Sequence, residues 1–98
     1  MAPDATAFVH RNPLFSLQYS AAAFAEDSEA SHAENLAWLN GVYASLRPYA
    51  SGQAYQNYID ADLPDWKVAC YGANYARLQQ IKAAVDPTGF FTFPQAIG

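Results

Sequence analysis

Two periodicities alternate along this chain. From Leu14 to Ser20, Phe15, Leu17 and Tyr19 fall on one side of an extended backbone while Ser16, Gln18 and Ser20 fall on the other. That period of two predicts a half-buried strand. Ala7–His10 is a shorter candidate, and Arg11-Asn12-Pro13 between the two supplies turn chemistry, so the pair reads as a hairpin. The third candidate is Ala54–Ile59, bounded by Ser51-Gly52 and by Asp62-Leu63-Pro64. There Tyr55, Asn57 and Ile59 share one face and Ala54, Gln56 and Tyr58 the other. Asp60 and Asp62 fit the turn that follows.

Between these stretches the period lengthens. Leu36, Leu39, Tyr43 and Leu46 recur at helical spacing, flanked by Trp38 and Val42, and predict a buried stripe. Ser31 and Glu34 have the spacing of a capping box, and Pro48 stops the helix after Arg47. Pro64 to Gly72 reads as a short helix or turn closed by its glycine. Asn74 is placed to cap a further helix from Tyr75 to Val85, with Leu78, Ile81, Lys82 and Val85 along one side. Asp86-Pro87-Thr88-Gly89 ends that helix, and Phe90 to Gly98 is an apolar tail that should dock on something. The order strand, strand, helix, strand, helix, tail predicts an α+β fold, a small antiparallel sheet covered on one face by helices.

Composition sharpens this in one respect. Of the 98 residues 52% are hydrophobic and only 14% charged, against roughly a quarter charged in an ordinary soluble domain. The chain is therefore expected to keep apolar surface for a partner. The net charge of −4 and the scattered basic residues argue against nucleic acid. Cys70 has no second cysteine to pair with, and His10 and His32 offer no zinc-ligand spacing, so no metal site is expected. Ala21–Ala25 is too short an apolar run to span a membrane, and no leader pattern opens the chain. A cytoplasmic location is the default expectation, unless a longer parent protein is exported.

Several segments together resemble the carboxyl-terminal, berberine-like region of the berberine bridge enzyme-like FAD-linked oxidases, within the vanillyl-alcohol oxidase group. They are Ala54-Tyr55-Gln56-Asn57-Tyr58-Ile59-Asp60, Tyr71-Gly72-Ala73-Asn74-Tyr75-Ala76-Arg77-Leu78, Ile81-Lys82, Asp86-Pro87 and Phe93-Pro94-Gln95-Ala96-Ile97. Phe8-Val9-His10-Arg11 and Ser16-Leu17-Gln18-Tyr19 resemble the preceding part of the same enzymes. The resemblance implies that residues 1–50 end a substrate-domain sheet with its covering helix and that residues 51–98 are the berberine-like segment. Together they would be part of the substrate-binding lobe of a larger flavoenzyme, with FAD bound mainly by an amino-terminal lobe outside this sequence.

The same resemblance implies roles for individual residues. Tyr58 matches the tyrosine that removes a substrate proton, which a phenol does only with help, because it ordinarily keeps its own proton at neutral pH. Gln18 matches a position across from that tyrosine and would orient substrate or hydrogen-bond to it. Asn57 would partner the flavin or the backbone beneath it. Gln56 stands where the family more usually has an apolar residue. The implied reaction is oxidation of an alcohol, sugar or C–H bond with electrons passed through FAD to oxygen, inactive without the FAD lobe in cis or in trans. The implied partners are that lobe and a small-molecule substrate. The alternative is a non-enzymatic relic that binds a partner, or a second copy as a homodimer, through its open sheet face.

Overall fold

The computed structural model describes residues 1–98. Three α-helices appear: α1 (Glu29–Leu46), α2 (Trp66–Tyr71) and α3 (Tyr75–Val85), with 3₁₀ turns at Arg47–Tyr49 and Gly72–Asn74. No residue forms a strand. The expected α+β architecture is thereby corrected: the chain is helical, and the small antiparallel sheet does not form. All three strand candidates, Ala7–His10, Leu14–Ser20 and Ala54–Ile59, lie outside regular structure apart from bends and a turn. Alternation describes what a strand's two faces prefer, but a strand exists only where a second backbone edge completes its ladder, and no segment here supplies one.

The chain divides into two units. One is Leu14–Ser51 and holds α1. Its helix begins three residues before the expected capping box. Ser28 is the N-cap, and its hydroxyl accepts the Ser31 backbone N–H at 3.2 Å. Ser31 is thus the third helical residue rather than the cap. The end is where Pro48 predicts it: the last α-helical residue is Leu46, and Pro48 sits inside the 3₁₀ turn that follows. The helix holds part of the preceding segment. Asn35 Nδ2 donates to the Ala22 carbonyl at 3.0 Å, a ring nitrogen of His32 lies 3.3 Å from the Phe24 carbonyl, and Tyr43 packs edge-on against Tyr19 at 6.1 Å. The expected buried stripe is not buried. Leu36, Trp38, Tyr43 and Leu46 all count among the exposed large hydrophobic residues, because the sheet they were to cover is missing.

The other unit joins Met1–Pro13 to Gly52–Gly98. Its small core is Leu63, Ala69 and Cys70, with His10 and Asn74 buried beside them. Gly72 ends α2 with φ of +51° and ψ of −133°, a conformation that suits glycine alone, and its N–H bonds to the Val68 carbonyl. Asn74 precedes α3 but makes no side-chain cap bond. Its backbone already lies in the helical region because the 3₁₀ turn leads into α3, so the amide is turned elsewhere. It donates to the carbonyls of Pro3 at 2.9 Å and Thr6 at 3.0 Å, clasping the start of the chain to the helices.

Beyond α3, Asp86 holds the turn. Its carboxylate accepts the backbone N–H groups of Phe90 at 2.8 Å and Phe91 at 3.0 Å and pairs with Lys82, whose ammonium also donates to the Phe91 carbonyl at 2.5 Å. The tail docks at its end, where the Gly98 carbonyl accepts from Gln79 Nε2 at 2.5 Å. Phe90, Phe91 and Phe93 nonetheless stay exposed.

Candidate functional site

The candidate residues Asn57 and Tyr58 sit on a turn whose two ends are tied down. At its start the Ala54 N–H donates to the Ala69 carbonyl of α2 at 2.9 Å. At its far end Asp60 Oδ1 accepts the Asp62 N–H at 3.0 Å, as the sequence suggests for an aspartate before a turn, and the Asp60 carbonyl accepts from Leu63 N–H and from Gln95 Nε2. Leu63 then enters the core. Between these anchors the Tyr58 N–H donates to the Tyr55 carbonyl at 2.9 Å, closing a four-residue turn.

That turn abolishes the alternation expected of a strand. Asn57 and Tyr58, predicted to point in opposite directions, both meet Tyr55. The Tyr58 ring stands edge-on to that of Tyr55 at 5.2 Å, and Asn57 Nδ2 donates to the Tyr55 hydroxyl at 2.8 Å. Tyr58 is 64% exposed, so its ring is open to whatever approaches. Gln18 belongs to the other unit, where it is exposed on the extended segment before α1.

Behind the turn lies the segment carrying His10 and Arg11. Phe8 packs edge-on against Tyr55 at 6.0 Å and against His10 at 5.1 Å. The Arg11 guanidinium covers the same phenyl ring at 5.8 Å while donating to Thr6 Oγ1 at 2.6 Å. Both ring nitrogens of His10, Nε of Arg11 and Oε1 of Gln56 are buried without a hydrogen-bond partner. Such atoms raise the free energy of the fold until something satisfies them. Sequence reasoning missed Tyr55 and Phe8 as contributors, because alternation put Tyr55 on the face away from Tyr58. The signal that could have found the turn is the density of Asn and Asp over residues 57–62.

Other reactive groups are quiet. Burial pushes the Cys70 thiol up. It also raises the Tyr71 phenol, with smaller contributions from Cys70 and Tyr75. Neither group is thereby made a nucleophile or a base. Trp66, Tyr71 and Tyr75 form an aromatic cluster, and the Lys67 ammonium lies 5.6 Å and 5.4 Å from the ring centres of Trp66 and Tyr75. No group of three or more His, Cys, Asp or Glu side chains could hold a metal ion, and no helix is long and apolar enough to cross a membrane.

A groove between residues 4–7 and α3, lined by Thr6, Asn74, Arg77 and Ile81 among others, encloses about 210 Å³. That is below the range of about 300–1,000 Å³ typical of small-molecule sites. The chain offers no glycine-rich loop and no cluster of cations for a dinucleotide's phosphates. What it does offer is one polar, aromatic edge, Asn57 and Tyr58 on Tyr55, with orphaned polar atoms on His10 and Gln56 in the adjoining segments. These residues do not fit the task of holding FAD unaided.

Residues 54–98 match the family described as berberine and berberine like. An uncharacterized FAD-linked oxidoreductase, YvdP, of Bacillus subtilis (strain 168) is 40% identical over 94 residues, covering 96% of this chain and 20% of that protein. Berberine bridge enzyme-like 17 of Arabidopsis thaliana is 37% identical over 113 residues, covering 96% and 20%. The monolignol oxidoreductase AtBBE-like 13 of the same plant is 32% identical over 105 residues, covering 94% and 19%. The chain thus spans about a fifth of the length of the curated relatives it matches. No solved structure matches it.

Proposed function

Because this chain carries a berberine and berberine-like segment and resembles the carboxyl-terminal region of the berberine bridge enzyme-like FAD-linked oxidoreductases, we propose that it is the part of such an oxidase that faces the substrate. The observation that carries the reading is the turn Tyr55–Tyr58, an exposed phenol and a carboxamide held on one tyrosine within the matched segment. An exposed turn anchored at both ends presents its side chains in a fixed direction without enclosing them, which suits one wall of a chamber completed by other residues.

In this proposal Tyr58 takes a proton from the substrate and Asn57 faces the cofactor edge. Gln18 orients the substrate through its amide, since glutamine is no base at ordinary pH. FAD, held mainly by a lobe beyond these 98 residues in cis or in trans, supplies the two-electron acceptor when bound. The phenol needs a nearby positive charge or a hydrogen-bond donor to accept this task, and both must come from residues or substrate brought to the exposed side of Tyr58. The substrate is a small molecule, an alcohol, sugar or activated C–H compound.

The test is co-expression of the chain with a flavin-binding lobe, comparing wild type with Tyr58→Phe. Turnover should fall by about two to four orders of magnitude while flavin content is unchanged. Equal turnover by the two proteins would remove Tyr58 from the chemistry.

A second reading is favoured by the exposed Leu14, Phe15, Phe90 and Phe91: a non-catalytic module that pairs with a partner or with its own copy. In its self-paired form the purified chain sediments as a dimer at micromolar concentration. A stable monomer would refute that form, and a monomer with no exposed apolar face would count against the reading as a whole.

A further inference from the structure

Tyr55 makes every contact described for the two candidate residues of its turn. Its carbonyl takes the Tyr58 N–H at 2.9 Å, its ring meets the Tyr58 ring at 5.2 Å and 86°, and its hydroxyl accepts Asn57 Nδ2 at 2.8 Å. Phe8 braces the same ring from the side at 6.0 Å and is itself braced by the buried His10. The backbone just before Tyr55 is pinned to α2 through Ala54 and Ala69. Tyr58, by contrast, stands well out in solvent. A phenol that exposed samples several rotamers unless a neighbour selects one, and a carboxamide on a turn is equally free.

We propose that Tyr55 is the positioning residue of the site, fixing the Tyr58 ring through its own ring and the Asn57 amide through its hydroxyl, with Phe8 as its support. The inference rests on the functional reading above for its effect on turnover, but not for its geometry. The two halves of the contact separate by substitution. Tyr55→Phe keeps the ring pair with Tyr58 and the brace from Phe8 and removes only the acceptor for Asn57. Tyr55→Leu removes all three. An edge-on aromatic pair is worth enough to bias a rotamer by about two- to tenfold, and that factor sets the scale of the expected losses.

The experiment has two arms on the same variants. In the 98-residue chain, NMR follows the Hα–Hβ couplings of Tyr58, which report its χ1 rotamer, and the side-chain amide shift of Asn57. Tyr55→Phe should keep the single Tyr58 rotamer and move the Asn57 amide toward its solvated position, and Tyr55→Leu should average the Tyr58 couplings and move the Asn57 amide while the helical circular dichroism is retained. In the enzyme assembled with a flavin-binding lobe, Tyr55→Leu should lower kcat by about two- to tenfold with KM nearly unchanged, and Tyr55→Phe should recover most of that loss. Unchanged Tyr58 couplings and an unmoved Asn57 amide in Tyr55→Leu would overturn the positioning role outright. So would wild-type kcat in Tyr55→Leu when Tyr58→Phe is impaired. If instead Tyr58→Phe itself turns over normally, the functional reading fails, and the NMR arm alone decides whether Tyr55 holds the turn.

Discussion

Replacing Gly72 with alanine should destabilise the unit that carries the site, for two reasons that can be measured apart. At φ of +51° and ψ of −133° an L residue is strained by about 1–3 kcal/mol. The new Cβ would also lie 3.3 Å from Val9 Cγ2 and 3.8 Å from Val9 Cγ1, so that the valine must give by a few tenths of an ångström. Alanine recovers about 0.4–1 kcal/mol by stiffening the unfolded chain, which leaves a net loss of about 1–2 kcal/mol. For a unit of this size that is a fall of about 5–15 °C in melting temperature.

Each unit holds one tryptophan, Trp38 in the first and Trp66 in the second, so Trp66 fluorescence in a Trp38→Phe background reports thermal unfolding of the right one. Adding Val9→Ala to Gly72→Ala separates the causes: relief of the contact restores part of the loss, whereas strain is untouched. Gly41→Ala is the control, since nothing lies within 4 Å of its Cβ position in the middle of α1, and it should stabilise that helix by about 0.5–1 kcal/mol. An unfolding midpoint for Gly72→Ala equal to wild type would refute the reasoning.

Ser28→Ala should cost α1 about 1 kcal/mol, read by circular dichroism, and Ser31→Ala distinctly less; the reverse order would return the cap to Ser31. Asn74→Ala strips the Pro3 and Thr6 carbonyls of their donor and should lower stability by about 1–3 kcal/mol while residues 1–8 become labile to protease; unchanged proteolysis would show that the clasp is dispensable. The Lys82 ammonium, with the backbone N–H groups of Phe91 and Phe90, lowers the Asp86 carboxyl below its ordinary value. A carboxyl lowered in the folded state contributes order that is present above its unfolded value and lost as pH falls through the folded one. The Phe90 and Phe91 amides should therefore stay hydrogen-bonded at neutral pH and lose their NMR protection only in that acid range; loss near neutrality would exclude Asp86 as the holder of the turn.

How much of this was legible in the sequence depends on whether the signal was local. The C-terminal limits of α3 and α1 and the glycine closing α2 follow from proline, glycine and helical spacing, which act within a few residues; α3 begins where Asn74 places it, but without the side-chain cap expected there. The start of α1 slipped because Ser28 and Ser31 are both good caps and only tertiary context chooses between them. The strands failed for a different reason. Alternation at Leu14–Ser20 and Ala54–Ile59 records a preference that needs a pairing edge from elsewhere, and within these residues none exists. At the candidate site the identities of Asn57 and Tyr58 were readable by resemblance. Their common dependence on Tyr55 was not, because it arises from a turn hydrogen bond that reverses the chain.

The Asn74 clasp has a consequence for the order in which this polypeptide acquires its shape. Its two bonds close loops of 68 and 71 residues, so the entropy of bringing the ends together must be met before either bond forms. During synthesis residues 1–13 leave the ribosome before Asn74, their anchor, does, and α1 can form while they are still unattached. The segment bearing Phe8 and His10, which supports the candidate site, is therefore among the last parts to settle, and refolding should show its slowest phase there.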